Sequence, residues 1–281
     1  ELFVRRELTL RLMERIKAAG RRGELTTNGT LLRQQDVERI VAMGWDMIQV
    51  SLDGPDAATN DRLRPPGGTF DAAVATLERL AEAKARLGSS LPRVCVATVV
   101  SRHNVRQLPG MIDLAADRGA DEVTFQALKD MSSRFGELEL VEGQRRDLDD
   151  VAREIQARAR ARGLATNAGD LRQPTLLADM TALDQVMGDE VDEVDDPLFR
   201  AHCFTPFTTL VVHTDGRVSP CWEWRGPDLG NAGDSSLAEV WYGPVFQRWR
   251  EGFVDHRMPE QCSRCCLGFV DHIRWLRLEG L

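Results

Sequence analysis

Four cysteines in this chain are spaced as metal ligands: Cys203-x17-Cys221-x40-Cys262-x2-Cys265. Two thiolates separated by two residues reach one centre from a single turn, and two more from a distant segment complete a tetrahedral set. Four thiolates suit Zn2+ or an iron–sulfur cluster, and spacing alone leaves both open. Five of the six cysteines fall between Cys203 and Cys266, a clustering that in a cytosolic chain reads as metal binding before disulfides. Cys266 can replace Cys265 or pack. The five histidines are scattered and none is assigned catalysis; His202, beside Cys203, is the one that could substitute as a ligand. Cys95, flanked by Val94 and Val96, reads as a small buried hydrophobe.

The elements that must position these cysteines can be read from the pattern around them. Phe207–His213 and Arg217–Cys221 are two short β runs joined through Thr214-Asp215-Gly216, a hairpin signal that delivers Cys221 at its end. Ser236–Arg250 reads as one helix with Leu237, Val240, Trp241, Val245 and Trp249 apolar. A closing helix follows Cys266. Upstream, residues 168–200 carry Asp184, Asp189, Glu190, Asp192, Glu193, Asp195 and Asp196 and read as an acidic linker or bridging segment.

Residues 1–167 have a different rhythm, strand alternating with helix. Strands are expected at Glu24–Thr27, Met47–Leu52, Arg93–Val100 and Glu122–Gln126. Helices are expected around Leu8–Ala19 (stopped by Gly20), around Val37–Val41, from Phe70 to Leu87 (stopped by Gly88), after a capping Asn104, and around Leu148–Ile155. This alternation implies parallel βαβ units. Periodicity does not decide between an open doubly wound sheet and a barrel. In both, ligands sit at the C-terminal ends of the strands. That rule selects Thr27-Asn28-Gly29, Ser51-Leu52-Asp53-Gly54 and the segment after Gln126. Asn28-Gly29 is also an ordinary turn, and Asp53-Gly54-Pro55 an ordinary strand exit.

Composition excludes little but points one way. The formal charge is −8, from 36 Lys and Arg against 44 Asp and Glu, which argues against nucleic acid or an anionic membrane as the main partner. No apolar run approaches the length of a membrane span and no signal peptide is visible. The expected compartment is the cytoplasm.

Several short motifs resemble one family. Leu25-Thr26-Thr27-Asn28-Gly29-Thr30-Leu31-Leu32 is similar to the "TNGtLL" strand end of radical S-adenosylmethionine (SAM) enzymes. Val50-Ser51-Leu52-Asp53-Gly54-Pro55, then Asp61-Arg62-Leu63-Arg64 and Gly68-Thr69-Phe70, resembles their "SLDGp…hd.iRg…gtf" segment. Cys203-x12-Gly216-x4-Cys221, followed by Leu229-Gly230-Asn231, Ser236-Leu237 and Trp241, resembles the SPASM and twitch domains that extend this family. The ligand count is closer to the single-cluster twitch arrangement, because no further cysteine follows Cys266. No CxxxCxxC, the motif that binds the SAM-reducing cluster, occurs in the 281 residues. The chain opens Glu1-Leu2-Phe3-Val4 without Met, and the "GGEP" strand end is absent. These parts are expected N-terminal to residue 1, as in a truncated domain.

The resemblance implies an α/β fold: a partial (β/α)6 barrel over 1–167 lacking its first βα unit, the segment 168–200, and a small cysteine-rich domain with a hairpin and helices over 201–281. It implies SAM near Thr27 and Ser51 with Asn28 and Asp53 shaping the rim. It also implies an auxiliary [4Fe-4S] cluster on Cys203, Cys221, Cys262 and Cys265, active in electron transfer. A second [4Fe-4S] cluster is expected only in the missing segment, so this chain is expected to be inactive alone. The whole protein would cleave SAM to a 5′-deoxyadenosyl radical that takes a substrate hydrogen. Its partners would be a peptide or small-molecule substrate, bordered by Lys129–Arg145, and an electron donor such as flavodoxin or ferredoxin. Arg64 either binds an anion or pairs with a carboxylate. The rival reading is a catalytically silent scaffold whose four cysteines hold structural zinc.

Overall fold

The computed structural model describes residues 2–128, 136–172, 205–221, 224 and 226–254. The chain divides into two compact units, Glu1–Leu177 and Ala178–Leu281. Cys203, Cys262, Cys265, Cys266, His202, most of the acidic stretch, part of Lys129–Arg145 and the expected closing helix lie outside the described residues.

Among its described residues the first unit contains five strands, β1 (Glu24–Thr27), β2 (Met47–Ser51), β3 (Arg93–Val100), β4 (Glu122–Ala127) and β5 (Ala165–Thr166). They pair in sequence order and every pair is parallel. A doubly wound sheet reverses its strand order at a switch point; this one never reverses. Right-handed crossovers that always step the same way put every connecting helix on one face. The sheet is therefore wound as a barrel wall, which settles what periodicity left open.

The helices are α1 (Arg6–Ala18), α2 (Gln34–Ala42), α3 (Ala57–Leu63), α4 (Thr69–Leu87), α5 (Leu108–Asp117) and α6 (Glu142–Arg162). Leu25, Ile48, Val50, Val94, Val96 and Val123 point to the helix side and are buried with Val37, Ile40, Leu77, Leu80, Met111, Ile112 and Ile155. A fully buried aliphatic side chain of this size contributes about 1.5–3 kcal/mol relative to exposure. The core continues past β5 into Ala168 and Leu171. Helix α3 is not visible in the apolar pattern; its start is set by Asp56, whose carboxylate accepts from the Thr59 amide at 2.8 Å.

Asn104 does not cap a helix through its side chain. It precedes a 3₁₀ turn, Val105–Gln107, with no capping hydrogen bond. Its amide is instead committed to the strand ends, as described below.

The second unit holds a three-stranded antiparallel sheet, β6 (Val211–Val212), β7 (Arg217–Ser219) and β8 (Gly230–Asn231). The hairpin turn at Thr214-Asp215-Gly216 is present, with the Arg217 guanidinium 2.7 Å from Asp215 and holding that carboxyl below its ordinary range. Two expectations need correction. Phe207 lies in a short helix, α7 (Thr205–Thr208), because Pro206 suits a first helical turn. The expected helix Ser236–Arg250 is two, α8 (Leu237–Tyr242) and α9 (Pro244–Val254). Pro244 disfavours helical backbone at the residue before it, and Gly243 is extended at φ −70°, ψ 158°. Val218, Leu229, Val240 and Phe246 form the small core, with the Arg250 guanidinium stacked 4.1 Å from the Trp241 ring and 4.3 Å from Phe246. No helix among the described residues is long and apolar enough to cross a membrane.

Candidate functional site

Parallel strands place paired residues on the same face. Thr26, Gln49, Cys95 and Glu122 form one row on the face away from the helices, and Ser51, Ala97 and Thr124 form the next row toward the C-terminal ends. This face carries hydroxyl and amide groups where the helix-side face carries Leu, Ile and Val. Ser51 is half-buried on it and Thr26 is exposed.

Thr27 pairs with Val50, so it points to the helix side. It is 3% exposed, and its hydroxyl accepts from the Gly29 amide at 3.0 Å. Asn28 completes the turn: its carbonyl oxygen accepts from the Thr30 amide at 3.0 Å and the Thr30 hydroxyl at 2.7 Å. Gly29 sits at φ +77°, and a Cβ there would stand 3.0 Å from the Ala73 backbone of α4.

Asp53 is buried at the exit of β2. One carboxylate oxygen accepts from the Val99 amide at 2.7 Å, and the other lies 2.6 Å from Arg64 Nε. Arg64 thus pairs with a neighbouring carboxylate. The Asp53 amide donates to Asn60 at 2.9 Å, and its carbonyl accepts from Asn104 at 2.8 Å. A Cβ on Gly54 would meet the Asn60 amide at 2.6 Å, so the glycine lets α3 close against this exit.

Two further residues, neither given a role from the motifs, fix the segments around this exit. The Asn104 side chain, 1% exposed, donates to the carbonyls of Asp53 and Val99 and accepts from the Ser101 amide, each at 2.8 Å. Asp61 accepts from the Gly68 amide at 2.5 Å and the Phe70 amide and Thr69 hydroxyl at 2.9 Å. Those amides pull its carboxyl down to about 2. Asp61 was legible as part of a motif, but not as the acceptor that starts α4.

Cys95 is fully buried beside Thr124, 3.3 Å from its hydroxyl, and burial pushes the thiol up to about 11. In the second unit Cys221 follows β7 and is half-buried. The Ser219 hydroxyl donates to the Cys221 carbonyl at 2.9 Å and lies 2.8 Å from His213 Nε2. Because the serine hydrogen is used on Cys221, the His213 Nε2 is the donor in this pair. Among the described residues, no three His, Cys, Asp or Glu side chains converge as a metal site.

Residues 2–124 match the model of the radical SAM superfamily, and residues 203–266, which enclose all four spaced cysteines, match SPASM, an iron–sulfur cluster-binding domain. Residues 2–124 are thus a radical SAM domain, followed in the same chain by a SPASM match. The chain is similar to an AdoMet-dependent heme synthase of Methanosarcina barkeri, 35% identical over 102 residues that cover 36% of this chain and 27% of the relative. It is also similar to the PqqA peptide cyclase of Ruegeria pomeroyi, 29% identical over 265 residues that cover 90% of this chain and 62% of the relative. The chain therefore spans less than two thirds of the length of these relatives. Its fold is shared with Streptococcus suis SuiB, solved bound to S-adenosylmethionine (TM-score 0.61, 15% identity) and to precursor peptide SuiA (TM-score 0.60, 16% identity). Each match covers 85% of this chain and 52% of SuiB. Radical SAM and SPASM domains carry [4Fe-4S] clusters and bind SAM.

Proposed function

We propose that this chain is the SAM-binding wall and auxiliary-cluster domain of a radical SAM maturase acting on a peptide. The observation that carries the reading is the presence in one chain of the superfamily match over 2–124 and a cluster-binding match enclosing Cys203, Cys221, Cys262 and Cys265. A peptide substrate is supported by the PqqA peptide cyclase, whose similarity covers 90% of this chain. The heme synthase keeps a small molecule as the second substrate class.

The four thiolates fit a [4Fe-4S] cluster in number and softness. Full cysteine ligation favours electron transfer over substrate coordination, and thiolate ligands of this kind suit the reducing cytoplasm. The helix-free strand face fits SAM in its chemistry: Ser51 and Thr26 present hydroxyls beside the strand ends, where a ribose or carboxylate can be hydrogen-bonded. The chemistry that SAM supplies with a reducing cluster is homolytic cleavage to a radical that abstracts hydrogen. The chain's own part is to bind and orient. Ser51 touches the ligand, Asp53 fixes the loop behind Ser51, and Thr27 with Asn28 shapes the turn beside it. Electrons come from a small carrier such as flavodoxin or ferredoxin.

Iron and acid-labile sulfide measured on anaerobically purified chain test the cluster. The expected result is about four of each per chain, lost on Cys221→Ala. One zinc and no sulfide would overturn the assignment and favour a structural metal.

A further inference from the structure

On the helix side of the turn after β1, a cleft of about 550 Å³ lies between α1, the start of α2 and the first turns of α4. Three guanidinium groups line it: Arg6, Arg33 and Arg79. Gly29 and Thr30 form its floor beside Ala72. Among the described residues, no carboxylate lines it. The buried Asp36 behind it is ion-paired with Arg6 and accepts from the Arg33 amide at 2.8 Å, and Glu7 also acts on Arg6.

Two of the guanidiniums are held in place. Arg6 donates to the Leu31 carbonyl at 3.0 Å, and Arg79 to the Leu32 carbonyl at 3.2 Å. A guanidinium carries five N–H donors in a rigid fork, so Arg79 keeps most of its donors after that bond. Three arginines against Asp36 and Glu7 leave the cleft net positive. Burial, with the neighbouring charge of Arg33, pulls the Arg6 guanidinium below its ordinary value against the opposing pull of Glu7. The start of α2 adds a positive helix end to the same opening.

We propose that this cleft is a binding site for a phosphoryl group, an oxyanion suited to the net positive lining that Arg6, Arg33 and Arg79 provide. Forked guanidiniums recognise phosphoryl oxygens in pairs. Gly29 and Thr30 continue the turn that contains Asn28, and the Gly29 carbonyl is fixed by the Thr76 hydroxyl at 2.9 Å. An occupant of the cleft therefore stiffens the β1 exit from behind. The site is separate from the SAM-facing side of the sheet and does not depend on SAM binding there.

The test is calorimetric titration of the purified chain with inorganic phosphate at low ionic strength, beside the variants Arg33→Gln and Arg79→Gln and the distant control Arg153→Gln. Melting curves confirm that each variant is folded. The expected result is saturable binding that falls roughly tenfold or more in each cleft variant, is unchanged in the control and weakens with added salt. Arg6 is left intact because its ion pair with Asp36 also holds α1 to α2. Absence of saturable binding, or binding that Arg33→Gln and Arg79→Gln leave unaltered, would overturn the site.

Discussion

Arg64 Nε lies 2.6 Å from Asp53 Oδ2, and the other oxygen of that carboxylate takes the Val99 amide at 2.7 Å. One buried side chain thereby ties the exit of β2 to the end of β3 and to the helix that follows Gly54. Both oxygens are committed within the chain, so Asp53 acts by holding the Ser51 loop in place. The same loop takes a second tie from Asn104, which spans 51 residues of sequence to reach the Asp53 carbonyl.

Asn104→Ala is expected to lower unfolding free energy by about 2–4 kcal/mol, because it strands two carbonyls and one amide in a buried site. Asn104→Asp should be at least as damaging, since a carboxylate cannot donate to the carbonyls of Asp53 and Val99. Urea denaturation of the three proteins checks both. A loss below about 1 kcal/mol in each variant would remove Asn104 from this role.

Asp61 links stability to acid. Its folded carboxyl is held at about 2, below the ordinary 3.8 of an aspartate, so the unfolded chain binds the proton more readily. The stabilisation is full above the unfolded value and is lost as pH falls from about 4 through about 2. The stability gap between the native protein and Asp61→Asn should be constant above about pH 5 and shrink below it. Denaturation midpoints measured across that range give the answer, and a gap independent of pH would contradict the linkage.

The two faces of β1 and β2 should separate binding from folding. Ser51→Ala is expected to weaken SAM binding roughly tenfold with little change in melting temperature, as for one lost hydrogen bond. Thr27→Val should lower the melting temperature, because its buried hydroxyl holds the Gly29 amide. SAM titration and thermal melts of the same preparations distinguish the two effects. Unchanged SAM affinity in Ser51→Ala would remove that residue from the rim.

Cys95 should be nearly inert in the folded chain. A thiol pushed up to about 11 from its ordinary 9.0 has roughly a hundredfold less thiolate at pH 8, and burial slows it further. Iodoacetamide labelling followed by peptide mass analysis, native against urea-unfolded, should show that contrast at the Cys95 peptide. Equal rates in the two states would show that this strand opens readily.

The sequence alone determined the strands at Glu24–Thr27 and Arg93–Val100, the long helix ended by Gly88, the hairpin turn at Asp215-Gly216 and the spacing of the four cysteines. These are facts of the chain itself, set by side-chain periodicity, by glycine at positive φ and by the number of residues between cysteines. It also carried the motifs that brought the family into view. Tertiary structure decided what local pattern leaves undetermined. Alternation shows that Thr26 and Thr27 face opposite ways, but only the pairing with β2 shows that Thr27 turns toward the helices and Thr26 shares a face with Ser51. The direction of winding came from strand order. Asp53 found the Val99 amide, and Asn104 found the Asp53 carbonyl, because the sheet register brings distant strand exits side by side. Hydrogen bonds across about fifty residues depend on that register, and no window of sequence contains it.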